Sequence, residues 1–128
     1  MDRSRIAIVI PAFNESASIG IIVEAAKRFG LPIVVDDGST DKTSLIARTA
    51  GAEIILHKRN LGYDKALEAG FMLAASLGCE LVITMDADGQ HNPDLLQQFL
   101  LEFDHGAEVV IGIRDHRQRL SEHVFAWV

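Results

Sequence analysis

The sequence predicts an α/β domain with a mostly parallel sheet, helices on both faces and a strand order beginning 3-2-1-4. Three observations predict it. Short apolar runs alternate with stretches whose apolar residues recur at helical spacing. The runs are apolar at successive positions, as strands buried on both faces are. Glycine or proline punctuates most of the passages between them. Strict alternation of strand and helix favours parallel pairing through right-handed crossovers.

The first strand is expected from Arg5 to Ile10, broken by Pro11-Ala12-Phe13-Asn14-Glu15. A helix follows, capped by Ser16 or Ser18, with Ile19, Ile22, Val23, Ala26 and Phe29 on its apolar face. Gly30 fits its left-handed C-terminal position and Pro32 blocks continuation. Ile33 to Val35 is the second strand, leading into Asp36-Asp37-Gly38-Ser39-Thr40-Asp41. A short helix from about Lys42 to Ala50 is closed by Gly51. The third strand is Glu53 to Leu56, followed by the loop Asn60-Leu61-Gly62. The third helix, Tyr63 to Leu77, ends at Gly78 and leads to the fourth strand, Leu81 to Met85. Asn92 caps and Pro93 opens a fourth helix reaching Phe103, and Ala107 to Gly112 is a fifth strand. Leu120, Val124, Trp127 and Val128 recur at helical spacing, so 115–128 is expected to be a helical segment following a domain of 1–114.

A chain of 128 residues, 48% hydrophobic and 23% charged, fits one globular domain with a real core. The net charge of −6 argues against a general nucleic-acid or membrane-surface binder. The single cysteine, Cys79, has no internal disulfide partner and reads as a reduced structural thiol. No signal peptide or membrane-length apolar run is visible, which makes the cytoplasm the default location.

In a 3-2-1-4 sheet the carboxyl ends of strands one and four lie side by side at the switch point, where ligands bind. Three polar loops would meet there: 11–15, 36–41 and 86–91. The last is Asp86-Ala87-Asp88-Gly89-Gln90-His91. If strand geometry persisted through it, Asp86 and Asp88 would project the same way. Two carboxylates so close repel unless a cation sits between them, and hard oxygen ligands suit Mg²⁺ or Mn²⁺. Turn and capping aspartates are the plainer reading. Asp36 and Asp37 exceed what capping needs, and a carboxylate there could accept from a base N–H or a ribose hydroxyl. Asn14 and Glu15 add a donor and acceptors past strand one. Gly62 and Lys65 open the third helix, where a phosphate could be held, and Arg114 could reach a diphosphate. His91 is the one histidine beside the acidic cluster and reads as an orienting residue. No Walker or G-x-G-x-x-G pattern is present.

Four motifs taken together resemble the family 2 glycosyltransferases of GT-A fold. They are Pro11-Ala12-Phe13-Asn14-Glu15, Val35-Asp36-Asp37-Gly38-Ser39-Thr40-Asp41, Asn60-Leu61-Gly62 leading to Ala66 and Gly70, and Asp86-Ala87-Asp88-Gly89-Gln90-His91 with Pro93. They stand in family order over nearly all the chain to Arg114. The acidic stretch is most similar to the polyprenyl-phosphate sugar synthases, such as dolichyl-phosphate mannose synthase. The resemblance implies a Rossmann-like half that binds a nucleoside-diphosphate sugar, UDP- or GDP-linked. It implies that Pro11, Ala12, Asn14 and Glu15 line the nucleoside and that Asp36 or Asp37 holds the base. Ala87, Gly62, Lys65 and Arg114 would complete the donor site. Asp86, Asp88 and Gln90 would hold Mg²⁺ or Mn²⁺ on the diphosphate. Asp64 departs from the small residue many relatives carry after the loop glycine. The family's acidic catalytic base usually falls further along than Val128.

The expected function is a metal-dependent, inverting transfer of sugar to an acceptor hydroxyl, a glycan or a polyprenyl phosphate. Such an acceptor would place the protein at the inner face of a membrane, and a homo-oligomer or membrane-associated partner is compatible with it. A non-catalytic nucleotide-sugar binding or assembly module is the first rival. A phosphoacceptor receiver domain is the second, but its acidic pair would follow strand one, where this chain has Ala-Phe-Asn-Glu.

Overall fold

Seven residues of the first strand, β1 (Ile6–Ala12), run through the centre of the sheet, and six of them are buried. The computed structural model describes residues 5–87 and the strand 122–126. In chain order the further elements are α1 (Ile19–Ala26), β2 (Leu31–Asp37), α2 (Thr43–Ala50), β3 (Glu53–His57), α3 (Tyr63–Ser76), β4 (Leu81–Met85) and β5 (Glu122–Ala126). The sheet order is β3-β2-β1-β4-β5. The first four strands are parallel, in the predicted 3-2-1-4 order, and β5 adds antiparallel to β4.

The apolar alternation of each strand divides the core into two layers. Ile6, Ile8 and Ile10 of β1 pack with Ile19, Ile22 and Val23 of α1 and Ala47 of α2 on one face. Ala7 and Val9 pack on the other face with Ile33 and Val35 of β2 and Ala66 and Ala74 of α3. Cys79 is buried in this second layer, where burial pushes its thiol pKa up and keeps it neutral. This fits the structural role expected of it.

Several boundaries differ from the sequence expectation. β1 does not break at Pro11 but continues to Ala12, because pairing with β4 ends at Val9 and past it β1 pairs with β2 alone, an edge position where proline is tolerated. β2 extends to Asp37, so both aspartates are strand residues. Gly30 is not left-handed; positive φ among the described glycines falls at Gly38, Gly51, Gly62 and Gly78. It is required by close approach instead, since a Cβ at Gly30 would lie 2.4 Å from the Ile6 carbonyl oxygen. A Gly30→Ala variant is therefore expected to lose about 2 kcal/mol in urea denaturation, because the backbone of β1 must shift to admit it.

The largest correction is at the C-terminal end. Residues 122–126, expected within a helical segment, form a strand paired to β4, with Ile83 opposite Val124. Val124 and Phe125 are strand formers, and the second edge of β4 offers a row of backbone partners that helical spacing cannot outweigh. The expected boundary at residue 114 thus has sheet residues beyond it. The expected fourth helix from Pro93 and the fifth strand at 107–112 lie outside the described residues.

Candidate functional site

The parallel strands deliver four loops to one edge of the sheet, and hydrogen bonds join those loops in sheet order. The chain of contacts begins at β4. The Ser18 hydroxyl, at the start of α1, donates to the Ala87 carbonyl. The loop carrying Ser18 is tied in turn to the loop after β2. The Asn14 amide donates to Ser39 Oγ at 2.8 Å, and the Thr40 amide donates back to Asn14 Oδ1 at 2.8 Å. The Glu15 amide donates to Thr43 Oγ1 at 2.9 Å and the Ser16 amide to Asp41 Oδ2 at 3.2 Å. Asn14 holds a φ of 53°, the left-handed region that asparagine tolerates better than most residues.

Asp41 closes the turn into α2. Its carboxylate accepts from the Thr43 hydroxyl and from the Thr43 amide. These bonds, led by that from the Thr43 hydroxyl, lower its pKa to about 2.

The two consecutive aspartates of β2 part company. Asp37 Oδ1 accepts from the Leu61 amide at 2.9 Å and lies 2.8 Å from His57 Nδ1, while Oδ2 accepts from the Gly62 amide at 2.9 Å. Burial raises its pKa, but the hydrogen bonds from His57, Leu61 and Gly62 together outweigh that and hold it below the ordinary value. Since an ionised carboxylate only accepts, Nδ1 of His57 carries the proton. Asp37 therefore anchors the loop after β3. Gly38 lets that loop approach: its φ is +82°, and a Cβ there would lie 2.5 Å from the backbone of Arg59 and Asn60.

Asp36 is 1% exposed and accepts one bond, from the Ser39 amide to Oδ1 at 2.9 Å. Its second oxygen has no partner among the described residues. That oxygen is not fully enclosed, since Thr84 Oγ1 is the one buried side-chain polar atom without a partner among the described residues, so it can accept from a donor outside the protein.

The expected donor-binding residues now have places. Pro11 and Ala12 end β1, with Ala12 opposite Asp36 in register. Asn14 and Glu15 are spent in part on the β2 loop, a structural use the sequence did not show. The Gly62 amide, expected to face a phosphate, is committed to Asp37. Lys65 is exposed and 3.5 Å from Glu68 on the outer face of α3. Asp86 is half-buried just past β4, and Ala87 is buried in a turn. The strand ends at Met85, so Asp86 lies just past it, and the expected side-by-side placement of Asp86 and Asp88 falls outside the described residues. Asp88, Gln90, His91 and Arg114 lie outside the described residues. Among the described residues no three His, Cys, Asp or Glu side chains converge as a metal site. Sequence reasoning missed Ser18, Thr43 and His57, whose roles depend on contacts across 69, 28 and 20 residues.

The model of glycosyl transferase family 2 matches residues 7–124. An uncharacterized protein of Methanocaldococcus jannaschii is 38% identical over 118 residues, 89% of this chain and 48% of that protein. An undecaprenyl-phosphate 4-deoxy-4-formamido-L-arabinose transferase of Yersinia enterocolitica is 35% identical over 127 residues, 89% of this chain and 38% of that protein. Among solved structures, glucosyl-3-phosphoglycerate synthase from Mycobacterium tuberculosis superposes with a TM-score of 0.66 at 25% identity, over 81% of this chain and 42% of that one. A structure of the same enzyme with Mn²⁺, uridine diphosphate and phosphoglyceric acid gives a TM-score of 0.65 at 25% identity, over 81% and 40%. The chain spans less than half the length of these relatives.

Proposed function

The chain belongs to glycosyl transferase family 2, and from that premise we propose that its four-loop edge binds a nucleoside-diphosphate sugar for transfer to an acceptor. The observation that carries this reading is Asp36, a buried carboxylate with one oxygen held by Ser39 and the other left for a ligand donor. A base N–H or a ribose hydroxyl supplies such a donor. The three bonds that Asp37 makes within the protein favour Asp36 as the member of the pair that meets the ligand. Pro11 and Ala12 form the wall beside Asp36.

The diphosphate is assigned to the end of β4. Asp86 offers a hard carboxylate oxygen there, and Asp88 and Gln90 follow within four residues. This donor set fits Mg²⁺ or Mn²⁺, which need few protein ligands when phosphate and water complete the shell. A divalent ion bound there supplies charge neutralisation for the departing diphosphate. Mycobacterium tuberculosis glucosyl-3-phosphoglycerate synthase, crystallised with Mn²⁺ and uridine diphosphate, supports the same chemistry here. The relatives named as undecaprenyl-phosphate sugar transferases support a lipid phosphate as acceptor, and transfer at the inner membrane face is part of the proposal. Among the described residues no helix is long and apolar enough to cross a membrane. The catalytic base is assigned to none of the described residues, and inversion at the sugar carbon is part of the proposal.

Calorimetry with UDP and GDP, with Mn²⁺ and with EDTA, tests the reading. One nucleotide is expected to bind at least about tenfold more tightly with Mn²⁺, a gain of about 1.4 kcal/mol. Equal affinity in both conditions, or binding of neither nucleotide, would overturn it.

A further inference from the structure

We infer that Ser18 is a positioning residue for Asp86 and Ala87 just past β4, an inference that rests on the function just proposed. Ser18 holds the N-cap position of α1, with φ −119° and ψ −22°, yet its side chain caps no amide of that helix. A serine there ordinarily accepts from an amide two or three residues on, a bond worth about 1 kcal/mol. Here the hydroxyl reaches 69 residues along the chain and donates to the Ala87 carbonyl. The first turn is held by other means, since the Ser18 and Ile19 amides donate to the Glu15 carbonyl at 3.1 and 2.9 Å.

The position of the accepted carbonyl explains what this arrangement does. Ala87 lies between Asp86 and Asp88, and it is 4% exposed. Fixing its carbonyl holds Ala87, and with it the neighbouring Asp86, in place just past the end of β4. The strand ladder stops at Met85, so pairing with β1 or β5 no longer holds either residue. Ser18 also belongs to the loop that Ser39, Asp41 and Thr43 hold in place. One hydroxyl therefore references the cation end of the donor site to its nucleoside end. A diphosphate spanning both ends needs their separation held to within about 0.5 Å.

Three variants of the 128-residue chain test this. Ser18→Gly and Ser18→Ala both remove the hydroxyl. The glycine keeps most of the N-cap preference, so one folded variant is secured even if the alanine unfolds. Ser18→Thr restores the donor. The readout is Mn²⁺ affinity by electron paramagnetic resonance at saturating UDP, beside UDP affinity in EDTA. The glycine and alanine variants are expected to bind Mn²⁺ about tenfold more weakly, the scale on which outer-shell partners of a metal site act. Metal-free UDP affinity should stay within about twofold, and the threonine variant should match the parent. Unchanged Mn²⁺ affinity in the glycine variant would overturn the inference. So would an equal loss in the threonine variant, or a proportionate loss of metal-free UDP binding, because a merely structural role produces those. A parent chain that binds no Mn²⁺ with UDP would instead overturn the functional reading beneath it.

Discussion

Replacing Asp37 with alanine is expected to lower the stability of the fold by about 3 kcal/mol, read as a lower urea midpoint with little change in slope. The carboxylate is 5% exposed and satisfies the Leu61 amide, the Gly62 amide and the His57 ring together. Truncation strands all three, and removing one partner of a buried charged hydrogen bond costs more than the bond is worth. Water can reach Leu61, which is 45% exposed, so the loss falls short of that for a fully enclosed charge. An Asp37→Asn variant is expected to lose about 1–2 kcal/mol, because its amide keeps one acceptor oxygen for donors on two sides. The effect depends on pH with a definite sign. A carboxyl held below its ordinary value of 3.8 contributes stability that is complete above that value. The contribution drains away as pH falls through the folded-state value. The gap between parent and Asp37→Ala should therefore narrow on acidification below about pH 4. Asp41, lowered from 3.8 to about 2, has the same sign and adds to the acid sensitivity of the parent in that window.

That a single side chain can anchor one loop explains which parts of this protein the sequence revealed. The sheet order was legible because burial on both faces writes itself as unbroken apolar runs, and Leu81–Met85 was bounded as predicted. The acidic strand ends were legible because nothing in a core calls for Asp36-Asp37. Register was not legible. That His57 stands opposite Asp37 follows from β2–β3 pairing, which no local pattern encodes. Ser18 looked like an ordinary cap because its partner is remote in sequence. Gly30 was read from its local context as a left-handed stop, whereas its reason is the Ile6 carbonyl of a different element. At 122–126 helical spacing and strand propensity disagreed, and the open edge of β4 decided between them.

On the proposed reading, Asp36→Asn should leave the fold near parental stability and weaken nucleotide binding roughly tenfold to a hundredfold, the equivalent of about 1.5–3 kcal/mol for a hydrogen bond to a charged group. The asparagine carbonyl can keep the 2.9 Å bond from the Ser39 amide, which also fixes the orientation of the side chain. The amide nitrogen then stands where the open carboxylate oxygen stood. It offers a donor to a ligand group that is itself a donor, so attraction becomes repulsion. Calorimetry with UDP checks the affinity and thermal melting checks the fold. Parental affinity in a folded Asp36→Asn variant would remove Asp36 from the site. The two neighbours thus make opposed forecasts despite sharing a strand, a residue type and near-complete burial. What separates them is hydrogen-bond capacity: Asp37 has spent both oxygens within the protein, and Asp36 has spent one.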